Sequence, residues 1–90
     1  MKTIKIMISG TVQGIFFRKF IKQEADKLDI KGFVRNLDNG KVEVIAEGRD
    51  ETVNQFFEIT KKGNPHSQIK DTEVEEITHV GFDSFKILTI

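Results

Sequence analysis

Ile4, Ile6 and Ile8 alternate with Lys5 and Met7, the two-residue period of a strand with one buried face. From Phe17 the period changes. Phe17, Phe20, Ile21, Ala25 and Leu28 share one side of a helix, while Lys19, Lys22, Asp26 and Lys27 fall mainly on the other. After Gly32, Phe33-Val34-Arg35-Asn36 predicts a second strand, and Asp38-Asn39-Gly40 a tight hairpin turn, since Asn-Gly suits positive φ. The returning strand, Val42 to Glu47, puts Val42, Val44 and Ala46 on one face. Asp50 is placed to cap a second helix with Val53, Phe56, Phe57 and Thr60 as its inward stripe, ended by Gly63 and Pro65. The polar segment Gly63 to Asp71 reads as a loop. Thr72 to Val80 reads as a strand with a bulge where Val74 and Ile77 break the alternation, and Phe85 to Leu88 as a short final strand.

The order is βαββαβ with an extra short strand at the end. Two right-handed crossovers place both helices on one face of a mainly antiparallel sheet. This is an α+β chain of the ferredoxin-like two-layer sandwich type, read as a single domain over residues 1–90. The fold hosts many functions and assigns none.

Composition narrows the field. A chain of 90 residues buries roughly 60 to 70% of the surface its unfolded form exposes, enough for one modest core. With no cysteine there is no disulfide, thiolate nucleophile or thiolate ligand. The apolar start is too short and too interrupted for a signal peptide, and no run nears the ~20 apolar residues that span a bilayer. A cytoplasmic, soluble monomer is expected. Net charge is zero, yet residues 1–41 hold nine Lys/Arg against four Asp/Glu, and residues 42–90 hold five against ten. The basic half suits a small anion; the overall neutrality argues against a large nucleic-acid footprint. His66 and His79 lie far apart without a ligand pattern, so neither metal nor cofactor is expected.

The candidate chemistry lies in that basic half, in Gly10-Thr11-Val12-Gln13-Gly14-Ile15-Phe16-Phe17-Arg18. Two glycines permit a tightly curved backbone between strand and helix. Such a loop aims several N–H groups at one spot, where the helix dipole adds positive potential. Arg18 adds a full charge and a planar fork of donors. The combination suits a phosphate-sized anion.

These residues resemble the signature of the acylphosphatase family: a glycine, a spacer, Val-Gln-Gly, variable positions, then Phe-Arg. A second family signature, Gly-x-Val-x-Asn leading to a hairpin glycine, matches Gly32-Phe33-Val34-Arg35-Asn36 and Gly40. The likeness continues through Val42-Glu43-Val44, Gly48, Val53, Phe56 and Phe85-Lys86-Ile87, covering essentially the whole chain. Phe16 stands where many members carry a small residue, and the end, Leu88-Thr89-Ile90, lacks the Arg-Tyr tail common in relatives.

The resemblance implies hydrolysis of acyl phosphates to a carboxylate and inorganic phosphate. It implies that Arg18 neutralises the phosphoryl oxygens and that the backbone N–H groups of Gln13, Gly14, Ile15, Phe16, Phe17 and Arg18 cradle them. It also implies that Asn36 holds the attacking water in line with the P–O bond. Asn36 has the parity of Val34, so its amide is expected on the helix-covered face. For Gln13 the backbone is expected to matter more than the amide.

Three rivals remain. Lys31-Gly32-Phe33 matches the start of an RNA-binding motif, but Arg35 stands where a second stacking aromatic belongs. A non-catalytic anion sensor would bind phosphate without turnover. A detached copy of the acylphosphatase-like domain of a hydrogenase-maturation carbamoyltransferase is a further alternative, disfavoured by the absence of zinc-finger cysteines.

Overall fold

Five strands form one sheet with two helices packed against it in the computed structural model, which describes residues 1–89. The elements are β1 Lys2–Thr11, α1 Ile15–Lys27, β2 Lys31–Asn36, β3 Val42–Gly48, α2 Asp50–Lys62, β4 Gln68–Glu76 and β5 Phe85–Leu88. The sheet order is β4-β1-β3-β2-β5, antiparallel throughout except for the β2–β5 pair. This is the ferredoxin-like α+β arrangement expected from the periodicity.

The alternation in β1 and β3 explains the layering. Ile4, Ile6, Ile8, Val42, Val44, Ala46 and Val34 turn one face inward, and all are buried. Phe17, Ile21 and Ala25 from α1, and Val53, Phe56 and Thr60 from α2, cover that face. Phe56 meets Phe85 edge-on, with ring centroids 6.1 Å apart, so the short last strand is tied into the same core. Burying one such aliphatic or aromatic side chain contributes about 1.5 to 3 kcal/mol, which is why the sheet–helix layer dominates the weak local propensities of these short elements.

Several boundaries differ from the sequence reading: β2 opens at Lys31 rather than Phe33, and β3 runs on to Gly48. The helix α2 begins at Asp50 itself, with Arg49 as the cap residue and no side-chain capping bond; Asp50 and Glu51 instead sit in the first turn, where the dipole favours acids. The segment expected as loop to Asp71 already pairs with β1 from Gln68, and β4 stops at Glu76 rather than Val80. The bulge lies at Lys70, between the partners of Ser9 and Gly10, not at Val74 or Ile77. Val74 keeps step opposite Ile6; edge exposure, not a bulge, explains its apolar outlier. The bulge also explains Gly10, whose φ is +135° and where any Cβ would collide with the Gln68 carbonyl oxygen.

Beyond β4 the chain crosses the other sheet face, and one buried carboxylate holds it there. Glu47 accepts hydrogen bonds from the Thr3 hydroxyl (2.6 Å) and from three successive backbone N–H groups, Val80 (2.8 Å), Gly81 (2.9 Å) and Phe82 (3.0 Å). His79 Nδ1 lies 3.2 Å from Glu47 Oε2. Burial pushes the Glu47 carboxyl upward, but the Thr3 hydroxyl and the three N–H donors outweigh it and hold the pKa at about 2. A carboxyl with a depressed folded-state pKa stabilises the fold above its unfolded value of 4.5, and that contribution is lost as pH falls toward 2. Glu47→Gln is therefore expected to lower unfolding free energy at pH 7 by about 2 to 3 kcal/mol. Denaturant titrations across pH 7 to pH 2 should show the gap to wild type closing below 4.5; a gap independent of pH would refute the clamp.

Candidate active site

The strands β1 and β2 both run antiparallel to β3, so their C-terminal ends lie at the same end of the sheet. The α1 helix starts there after only Val12, Gln13 and Gly14. Val12 and Phe17 are buried and pin the two ends of this loop, while Gln13, Gly14, Ile15 and Phe16 are exposed between them. Gly14 is the helix cap residue with φ 120° and ψ 164°, a conformation that disfavours a side chain.

No side chain caps α1, and its first turn carries no acidic residue. The N–H groups of its first turn have no partner within the helix. Positive potential at the N-terminus is thus left uncompensated by local side chains. The Arg18 N–H is directed back to the Gly14 carbonyl at a long 3.5 Å, and Arg18 Nε donates to the same oxygen at 3.3 Å. The guanidinium is held over the loop it follows.

Asn36, the last residue of β2, pairs with the buried Val42 and shares the inward parity of Val34. Its Oδ1 is enclosed and has no hydrogen-bond partner among the described residues. A buried amide oxygen in that condition costs about 1 to 3 kcal/mol. Gln13, Arg18 and Asn36 line one open cleft of about 450 Å³, together with Leu37, Asp38, Leu88 and Thr89. Gln13 and Arg18 therefore meet Asn36, distant in sequence, whereas Gly14, Ile15, Phe16 and Phe17 do not line this cleft. The cleft brings together Arg18, the loop residue Gln13 and the Asn36 side chain, a set that suits an anion with a water beside it. Among the described residues no group of three or more His, Asp or Glu is placed to hold a metal.

Two features of this cleft escaped the sequence reading. Asp38, whose sequence context signals only a turn, lines it. The Gln13 amide is engaged as well, donating to the carbonyl oxygens of Leu37 (2.9 Å) and Lys41 (3.2 Å). No local pattern signals either contact, since both depend on a hairpin more than twenty residues further along.

A family model for acylphosphatase matches residues 4–87. The acylphosphatase of Bacillus licheniformis is 45% identical over 84 residues, which span 92% of this chain and 93% of that one. The chain belongs to the acylphosphatase family. It is thereby placed among hydrolases. The crystal structure of the Bacillus subtilis acylphosphatase superposes with a TM-score of 0.93 at 39% identity, covering 99% of this chain and 100% of that one. The crystal structure of HypF from T. kodakarensis also matches, with a TM-score of 0.80 and 39% identity over 97% of this chain, but only 12% of that protein.

The family fold bears on the RNA-binding rival as well. Phe33, on the sheet face away from the helices, meets Phe82 edge-on at 6.0 Å, and the Arg35 guanidinium lies 5.8 Å from its ring centre. Arg35 in turn bonds the buried Glu43 at 2.7 Å. Phe33, on the face on which RNA-binding domains of this topology stack bases, is thus engaged by the protein's own side chains.

Proposed function

We propose that this chain hydrolyses the carboxyl-phosphate bond of small acyl phosphates, releasing a carboxylate and inorganic phosphate. The observation that carries the reading is the meeting of Arg18, Gln13 of the loop leading into α1 and Asn36 in one cleft. In this reading the N–H groups of residues 13–18 and the Arg18 guanidinium bind the phosphoryl oxygens. The Asn36 side-chain amide hydrogen-bonds the attacking water and holds it in line with the scissile bond. The acyl phosphate carries a good leaving group, so positioning and charge stabilisation suffice. An amide is not basic, and the phosphate itself receives the proton that the water loses.

Among the described residues Asp38 is the one carboxylate lining the cleft, and it is exposed. Asp38→Asn is expected to keep turnover within about threefold of wild type and to leave the pH–rate profile unshifted. Loss of an acid limb in that variant would make Asp38 the base and overturn the substrate-assisted step.

Turnover of benzoyl phosphate in the presence of a chelator tests the whole reading. Hydrolysis that survives chelation supports it. A folded protein that is protected by phosphate against unfolding but shows no turnover is the anion-sensing alternative. The proposed form is one domain acting as a monomer in the cytoplasm, to be checked by sedimentation and cell fractionation.

A further inference from the structure

We infer that the Gln13 side chain is a positioning residue that sets the distance between the phosphate-binding loop and the Asn36 amide; this rests on the function proposed above. The ladder joining β1 to β3 ends at the Ile8–Val42 pair. Beyond it β1 continues against the bulged end of β4, and the loop leading into α1 leaves the sheet. The hairpin carrying Asn36 rises on the other side of the same cleft.

One side chain crosses between them. Leu37, directly after Asn36, closes the hairpin: its N–H donates to the Lys41 carbonyl at 2.8 Å, and its own carbonyl accepts from Gly40 at 3.1 Å. Each of those carbonyl oxygens has a second lone pair, and the two Gln13 Nε2 hydrogens bond one apiece. Because both partners are acceptors, only the NH₂ end of the amide can face them. Gln13 is exposed, adds nothing to the core, and still makes two bonds to a hairpin far along the chain. The neighbouring backbone of Gln13 belongs to the loop, and the next residue before Leu37 is Asn36, so the bridge couples the two halves of the site.

Phosphate affinity depends on the loop and Arg18; the placement of water depends on Asn36. Loss of the bridge therefore lowers kcat and leaves phosphate binding in place. Gln13→Met keeps the length of the side chain without its N–H groups, and Gln13→Ala removes the side chain altogether. Each is expected to lower kcat on benzoyl phosphate by about 10- to 100-fold. Competitive inhibition by inorganic phosphate should stay within about threefold of wild type. In an Asn36→Ala background Gln13→Met should change kcat by less than about twofold, because the residue acts through Asn36.

An equal loss in both backgrounds, a parallel loss of phosphate affinity, or an unchanged kcat would overturn the inference while wild-type turnover upholds the hydrolase reading. A wild type without turnover overturns that reading instead. The bridge is then read in the side-chain amide resonances of Asn36 in phosphate-saturated protein, which Gln13→Met shifts if the bridge positions the hairpin. Resonances that stay in place refute it.

Discussion

Arg18→Ala should lower kcat/KM for benzoyl phosphate by about 10³- to 10⁵-fold, the range in which a transition-state arginine contributes to phosphoryl transfer. In that transition state charge is spread over the equatorial phosphoryl oxygens, and among the described residues no other cationic side chain lines the cleft. Stability should barely change. The side chain is half-exposed, and its hydrogen bond to its own loop, Nε to the Gly14 carbonyl at 3.3 Å, is long. Inorganic phosphate should inhibit the variant more weakly, because the guanidinium is proposed to contact ground state and transition state alike. Arg18→Lys keeps the charge but loses the planar fork, so it should recover only part of the rate. Steady-state kinetics with a thermal melt for each variant settle the point. A melt unchanged and a rate within tenfold of wild type would remove Arg18 from the mechanism.

Asn36→Ala is expected to lower kcat by about 10²- to 10³-fold, the worth of one preorganised hydrogen-bonding group at a reacting centre. Its signature should differ from that of Arg18. Phosphate inhibition is expected to persist, since the amide holds the water and not the phosphoryl group. The stability effect has an unusual sign. Asn36 Oδ1 is enclosed without a partner among the described residues, so its removal deletes a desolvated acceptor rather than a made bond. The variant should be as stable as wild type or slightly more so in denaturant titrations. A rate loss accompanied by marked destabilisation would mean that Asn36 is structural.

Much of the fold was legible because each element signals its own burial. Ile4, Ile6 and Ile8 declare a strand, and Phe17, Ile21 and Ala25 a helix, by spacing alone; both faces proved to be the buried ones. The β4 segment was read poorly for the same reason. It is an edge strand with a polar pattern, and its register is imposed by β1 rather than by its own residues. Glu47 shows the limit from another side. In the sequence it is one acidic residue in an alternating strand, yet a loop from Val80 to Phe82 closes over it and makes it the most enclosed charge among the described residues.

The sequence by itself determined the order of elements, the inward faces of β1, β3 and both helices, and the family, which two ordered signatures and zero cysteines made readable. Local periodicity and turn chemistry are sufficient for that, because they depend on neighbours a few residues apart. Only the tertiary structure decided that Gln13 reaches the Leu37 and Lys41 carbonyls, that Asp38 borders the cleft, and that Asn36 Oδ1 lies buried without a partner among the described residues. These depend on the distance between a loop and a hairpin that share no local pattern, and the sheet register fixes that distance when β1 and β2 pair with β3.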